Sequence, residues 1–126
     1  MNHQQPFIVF SVYNKNESNR TNVERHVIVS EFLDAESIKY LDCVGVYDGC
    51  EERSFLVPNT DRARAIAENA AASYGQESIL LVDSAKNAEL VYRDGTRERI
   101  GTWRKCKRNE EPKAYTEYDG KKYTCS

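Results

Sequence analysis

The sequence predicts an α+β domain: a ferredoxin-like βαββαβ sandwich in which two helices cover one face of an antiparallel sheet, followed by an extra C-terminal hairpin. Three observations lead to this prediction. Strand-like runs and two helical patterns follow one another in the order strand, helix, strand, strand, helix, strand. Asp-Gly dipeptides mark tight turns between successive strands. The length of 126 residues suits one two-layer core, so residues 1–126 are assigned to a single domain.

The first strand and the first helix are separated by a polar loop. Residues 7–13 (FIVFSVY) form a β-branched and aromatic run that is typical of a buried strand. The polar segment NKNESNRT ends at Thr21, which together with Glu24 matches a capping-box pattern and predicts that the helix begins there. Two adjoining apolar stripes are predicted to face the sheet: Val23, Val27 and Phe32, and His26, Val29 and Leu33.

The second and third strands are predicted to form a hairpin. Residues 39–47 and 52–57 are strand-like, and they are joined through Asp48-Gly49, with enough extra residues for a bulged turn. An alanine-rich helix is then predicted to begin at Asp61 and to end before Gly75.

Further strands follow the second helix. Residues 79–82 and 89–92 are apolar runs, and a polar strand passes through Ile100 and Trp103. A charged linker, residues 104–113, precedes the hairpin around Asp119-Gly120. Because a ferredoxin-like sheet leaves its second face uncovered, we expect that face to be closed by a partner subunit or by the extra strands, and we expect oligomerisation.

Composition and charge narrow the classes of function. The chain has 18 basic and 20 acidic residues, a formal charge of −2 and a pI near 5.7, so no global field favours nucleic acid or an anionic membrane. No apolar stretch is long enough to span a bilayer, and no secretory h-region is recognisable. We therefore predict a soluble, cytoplasmic protein with no nucleic-acid or membrane partner.

The sequence contains no recognisable metal or nucleotide motif. Its four cysteines never have the Cys-x-x-Cys spacing of a zinc or redox site, and free thiols are expected. No phosphate-binding loop or glycine-rich dinucleotide motif occurs. We predict neither a metal nor a cofactor.

The turn between the second and third strands is the main candidate site. It combines Tyr47 with the acid pair Glu51 and Glu52, and functional groups often lie on loops held by rigid strands. Taken alone, these residues are more typical of an edge-packing tyrosine and a solvated acid pair than of a functional site. His26, on an apolar helical stripe, is more typical of a core residue than of a catalytic base. The basic run at residues 104–108 is more typical of a solvated linker than of a single-strand nucleic-acid site.

Several short features follow one another along nearly the whole chain. They are the first strand FIVFSVYN, Asn22-x-x-Arg25-His26, Gly45-x-Tyr47, the acid pair Glu51/Glu52, Tyr74-x-Gln76, AELVY before Gly95, and the tail Tyr115-Thr116 with Gly120-Lys121-Lys122-Tyr123. In this order they resemble the phage S-adenosylmethionine lyase family, formerly called S-adenosylmethionine hydrolases. The resemblance implies an α/β sandwich, a homotrimer with active sites at subunit boundaries, and S-adenosylmethionine as the substrate.

The same resemblance implies roles for particular residues. Tyr47 and Glu52 are the expected catalytic residues, with Glu51 as the alternative acid. Strand alternation sends the two glutamates to opposite faces, so only one of them is expected to face the ligand. The expected substrate-binding residues are Glu51, Val46, Ser11 and His26.

The implied reaction is intramolecular cleavage to 5′-methylthioadenosine and L-homoserine lactone in the host cytoplasm. Its implied purpose is to deplete host S-adenosylmethionine and so counter restriction. A non-catalytic ferredoxin/ACT-like regulatory module that binds a small metabolite stays open as the alternative.

Overall fold

The computed structural model describes residues 5–47 and 49–126, so Asp48 of the predicted turn lies outside the described residues. The described residues form eight strands and two helices. In chain order they are β1 Phe7–Ser11, α1 Asn19–Ala35, β2 Leu41–Tyr47, β3 Cys50–Pro58, α2 Asp61–Ser73, β4 Ser78–Val82, β5 Asn87–Tyr92, β6 Arg97–Lys105, β7 Ala114–Tyr118 and β8 Lys121–Cys125.

The eight strands form a closed antiparallel barrel in the order β1-β3-β2-β7-β8-β6-β5-β4, and β1 pairs with β4 to complete the circle. The predicted ferredoxin-like sandwich is therefore wrong. The prediction adds the last four strands, β5–β8, to the sandwich as extra strands and does not include them in one continuous sheet. In the structure β5 pairs with β4 and β7 pairs with β2, so these strands connect the two edges of the N-terminal sheet. Closure of the sheet removes both edges.

Both helices pack on the outside of the barrel. They cover the outward-facing residues of β1, β3 and β4, and the alanines of α2 let that helix lie close to the strands. The buried residues of this outer core are Ile8, Phe10, Val12, Val29, Leu33, Phe55, Val57, Ala63, Ala67, Ala70, Ala71, Ile79 and Leu81.

The inside of the barrel holds a second core. Its buried members are Phe7, Val9, Cys43, Leu56, Val82, Ala88 and Trp103. Side chains of this size fill the interior of an eight-stranded barrel. The sheet face that we expected to be open is this interior, so the argument for oligomerisation from an uncovered face does not hold.

The ends of the helices differ partly from the prediction. Helix α1 begins at Asn19, two residues before Thr21, because the Ser18 side chain caps it by accepting a hydrogen bond from the Thr21 N–H. Of its two predicted stripes, Val27 and Phe32 are exposed, whereas the stripe with His26 is buried. Helix α2 begins at Asp61 as predicted, and Gly75 follows its end with a φ of 73°.

The predicted linker begins two residues too early: Arg104 and Lys105 belong to β6, and residues 106–113 connect β6 to β7. Trp103 lies inside the barrel, where its ring contacts Phe7 edge-on at 5.1 Å. Arg104 makes a bidentate ion pair with Glu110, at 2.9 and 2.6 Å. Neither side chain is arranged as a platform for nucleic-acid bases. Among the described residues, neither helix has the length and apolar character needed to cross a membrane.

Candidate active site

The candidate residues lie at one end of the barrel. Because every strand pair is antiparallel, β1, β2, β5 and β8 finish at the same end at which β3, β4, β6 and β7 begin. We call this the β2–β3 end, after the turn that connects those two strands.

The register of β2 and β3 decides which side chains face the interior here. Cys43 and Leu56 belong to the inner core, and successive side chains of a strand point to opposite faces. Gly45 pairs with Glu52, and Tyr47 pairs with Cys50, so these residues share the inner face. The six predicted site residues therefore separate into two groups.

Tyr47 and Glu52 belong to the inner group. Glu52 is half-buried near the opening of the barrel, and burial raises the pKa of its carboxyl above the ordinary value. Tyr47, at the last position of β2, leaves 73% of its surface exposed. A ligand at this end would meet both an accessible phenol and a partly desolvated carboxylate.

Gly45 leaves space beside Glu52. It pairs with Glu52 on one side and with Thr116 of β7 on the other. An added Cβ at Gly45 would lie 3.4 Å from the Ser54 hydroxyl, an ordinary contact. Gly45 therefore leaves the inner face without a side chain between Glu52 and Thr116, and we call this position the gap at Gly45.

Ser11 also faces inward, but its hydroxyl is already engaged. It is buried, donates a hydrogen bond to the Arg53 carbonyl oxygen at 2.7 Å and accepts one from the Tyr13 N–H at 3.0 Å. The first of these bonds joins the end of β1 to β3, and the second fixes the chain that follows β1. Ser11 thus supports the wall of the candidate site, and its donor is not available to a ligand.

Val46 and Glu51 pair with each other on the outer face of the barrel. The Glu51 side chain is exposed there. Of the two neighbouring acids, the structure therefore places Glu52 alone on the inner face with Tyr47.

His26 lies behind the sheet, between α1 and the outer face of β3. It is 3% exposed, stacks on Phe55 at 4.1 Å, and its Nε2–H donates to Asp42 at 3.1 Å. Burial lowers its pKa, an effect that the hydrogen bond to Asp42 opposes. The sheet separates His26 from Glu52, and the two are not brought together.

Two further residues at the β2–β3 end were missed by the sequence analysis. Tyr92 ends β5 and donates a hydrogen bond to Glu98 of β6 at 2.8 Å. The sequence shows them only as part of a polar hairpin. Recognising them requires knowing that β5 and β6 belong to a closed barrel.

Within residues 5–47 and 49–126, no three His, Cys, Asp or Glu side chains are grouped so that they could hold a metal ion. Burial raises the pKa of Cys43 to about 12, which keeps this thiol protonated inside the barrel.

The fold and the site together define a class: a small closed barrel whose one end presents glutamates and tyrosines, suited to a cationic or hydroxyl-rich small ligand. A sequence model of the S-Adenosylmethionine lyase family matches residues 8–126, and the chain belongs to this family. The resemblance noted from the sequence is thus confirmed, and the match includes every candidate residue. The family is an enzyme family, and its name identifies S-adenosylmethionine as the substrate. No curated protein significantly matches the sequence.

Proposed function

We propose that this enzyme cleaves S-adenosylmethionine into 5′-methylthioadenosine and L-homoserine lactone at the β2–β3 end. A carboxylate oxygen of the methionine arm attacks the γ-carbon while the bond between that carbon and sulfur breaks. The electron pair of the broken bond goes to sulfur, which leaves as a neutral thioether. The step consumes no water and needs no nucleophile from the protein.

The position of Glu52 carries this proposal. It is the half-buried carboxylate of the inner face, next to the gap at Gly45 and to the accessible Tyr47. Its carboxylate accepts hydrogen bonds from the ammonium or the ribose hydroxyls of the substrate, and the Tyr47 ring lies near the sulfonium. Both residues therefore hold the substrate and leave bond formation to it.

Positioning supplies the catalysis in this scheme. Holding the flexible methionine arm in a folded conformation makes the step intramolecular, and well-oriented reactions of this kind gain about 7–11 kcal/mol. The substrate carboxylate and the sulfonium neutralise each other as the new bond forms. A partly desolvated site favours such a charge-cancelling step.

We further infer a homo-oligomer, a trimer by family resemblance, with the active sites at subunit boundaries. Two observations support this inference. Tyr47 is mostly exposed, and Val27, Ile28 and Phe32 are exposed apolar side chains on α1. Light scattering of the purified protein measures the mass, and a monomer at micromolar concentration would contradict the inference.

The biological role that we propose is depletion of host S-adenosylmethionine in the cytoplasm, which counters restriction. This role rests on the family alone. Expression in a restricting bacterial host is expected to lower the cellular S-adenosylmethionine pool and to raise plating of unmodified phage. An unchanged pool during expression of soluble, active enzyme would refute it.

Product analysis in ¹⁸O-labelled water tests the reaction itself. We expect unlabelled homoserine lactone to form first, and its later hydrolysis to place ¹⁸O in the carboxyl group. Direct attack by water on the γ-carbon would instead place ¹⁸O in the side-chain hydroxyl, which mass-spectrometric fragmentation distinguishes. That result would refute the lyase step. Measurable binding with no turnover would favour a regulatory module.

A further inference from the structure

Tyr92 and Glu98 form a hydrogen-bonded pair on the inner face of the barrel. Leu80 belongs to the inner core and pairs with Leu90, which in turn pairs with Glu98. Strand alternation therefore places Leu90, Tyr92 and Glu98 on the same inner face. The Tyr92 hydroxyl donates to Glu98 Oε2 at 2.8 Å.

This pair lies across the barrel from Glu52. In the strand order, β5 and β6 are separated from β2 and β3 by β7 and β8 on one side and by β1 and β4 on the other. All four residues still lie at the β2–β3 end, because β5 ends and β6 begins there. Tyr47 is close enough to contribute to the raised pKa of Tyr92, although the hydrogen bond to Glu98 is the larger cause. The opening thus has a carboxylate and a phenol on each of two opposite walls.

Glu98 is available to a ligand. It is exposed, and its hydrogen bond with Tyr92 engages Oε2, whereas no hydrogen bond from the described part of the chain engages Oε1. The neighbouring arginines are committed elsewhere: Arg97 binds Glu89 at 2.6 Å, and Arg99 binds the Asn87 side chain at 2.7 Å. Among the described residues, no cation of the chain pairs with Glu98.

We propose that Glu98, oriented by Tyr92, binds the ammonium group of the methionine arm, while Glu52 binds the ribose hydroxyls. The proposal rests on the function proposed above. It assigns one protein carboxylate to the amino-acid end of S-adenosylmethionine and another to its ribose. An ammonium is strongly hydrated, so it loses less solvation at exposed Glu98 than at half-buried Glu52. Fixing both the ribose and the ammonium limits the folded conformations of the arm that lies between them. Tyr92 is a positioning residue, since it acts through Glu98.

Two ligands that are not turned over separate these roles. S-adenosylhomocysteine carries the amino-acid arm with its ammonium, whereas 5′-methylthioadenosine lacks that arm and keeps the ribose. Calorimetric titration of Glu98→Gln is expected to show affinity for S-adenosylhomocysteine about 10- to 100-fold below wild type, the range for one charge-assisted hydrogen bond. Its affinity for methylthioadenosine is expected to stay within about twofold. Glu52→Gln is expected to lower the affinity for both ligands.

Tyr92→Phe provides a second variant, which keeps the Glu98 charge and the aromatic ring and removes only the hydroxyl. It is expected to lower the affinity for S-adenosylhomocysteine severalfold and to leave the affinity for methylthioadenosine unchanged. A general loss of structure would not produce this selectivity. Glu51→Gln, on the outer face, is the charge-matched control. Equal weakening of both ligands in Glu98→Gln, or no change in either, would overturn the proposal.

The outcome is distinguishable from failure of the proposed reaction. Lactone formation by the wild type together with unselective binding by Glu98→Gln would reject the ammonium site and leave the lyase step standing. Selective binding by Glu98→Gln without lactone formation by the wild type would reject the lyase step and leave the ammonium site standing.

Discussion

Replacing Glu52 by glutamine separates the two neighbouring acids of β3. Glutamine keeps the shape of the side chain but removes the charge that accepts hydrogen bonds from the substrate. Hydrogen bonds to charged groups contribute about 1.5–3 kcal/mol, and each 1.4 kcal/mol changes a rate tenfold, so we expect kcat/KM to fall about 10- to 100-fold. Glu51→Gln changes an exposed residue of the outer face and is expected to stay near wild type.

The same variant is expected to be no less stable than wild type. Burial raises the pKa of Glu52 in the folded state, so the folded state holds this proton more tightly than the unfolded chain does. The resulting stabilisation is fully present below the unfolded pKa and is lost as the pH rises through the folded pKa. Above the folded pKa the ionised side chain therefore destabilises the fold, and there Glu52→Gln should raise Tm. The gain should vanish below about pH 4.

Turnover assays and thermal melts of the two variants, side by side, check this reasoning. Loss of activity together with an equal or higher Tm identifies a functional carboxylate. If Glu52→Gln kept wild-type kcat/KM while Glu51→Gln lost it, the substrate would bind the outer face, and the assignment from strand register would be refuted.

Four other outcomes are expected. The kcat/KM of the wild type should decline as the pH falls through the raised pKa of Glu52, and a Glu52→Gln profile with the same decline would assign it to another group. Gly45→Val should reduce kcat/KM at least about tenfold by filling the gap beside Glu52, whereas Gly45→Ala, whose Cβ makes only ordinary contacts, should be much less affected; equal activity of the two would show that the gap is unused. Cys50→Ser should retain activity, although Cys50 shares the inner face with Tyr47, because the intramolecular step needs no thiol; inactivity of a folded variant would indicate covalent catalysis. His26→Ala should lower the free energy of unfolding by roughly 2–3 kcal/mol, through loss of the Phe55 stack and the Asp42 bond, with KM unchanged; a raised KM at full stability would return His26 to the substrate site.

Strand alternation predicted the separation of Glu51 from Glu52, and the observed register places them on opposite faces. Period-2 alternation is a local property, so it can be recognised without knowing the fold. The same alternation applies to Val46, which lies opposite Glu51 and away from Tyr47. The burial of His26 was also foreseen from its helical stripe, although its bond to Asp42 was not.

The first helix shows the limit of local patterns. Thr21 with Glu24 matches a capping box, but Ser18 lies one turn earlier and caps the helix instead. Similarly, Val27 and Phe32 have the spacing of a buried stripe, yet the curved outer wall of the barrel contacts only the stripe with His26 and Val29. Hydrophobic spacing predicts a face of a helix; the surface available to cover that face decides how much of it is buried.

The sequence alone determined the order of strands and helices, the positions of the Asp-Gly and Gly75 turns, and membership of the lyase family through features spread along the chain. Only the tertiary structure decided that the sheet closes. An open sheet and a closed barrel share the same local alternation, and with this strand order they differ in whether β2 pairs with β7. The β2–β7 pairing joins segments about 70 residues apart in sequence, which no local pattern records. Closure is also what brings Tyr92 and Glu98 to the end that holds Tyr47 and Glu52, because strands that are distant in sequence become opposite walls of one opening.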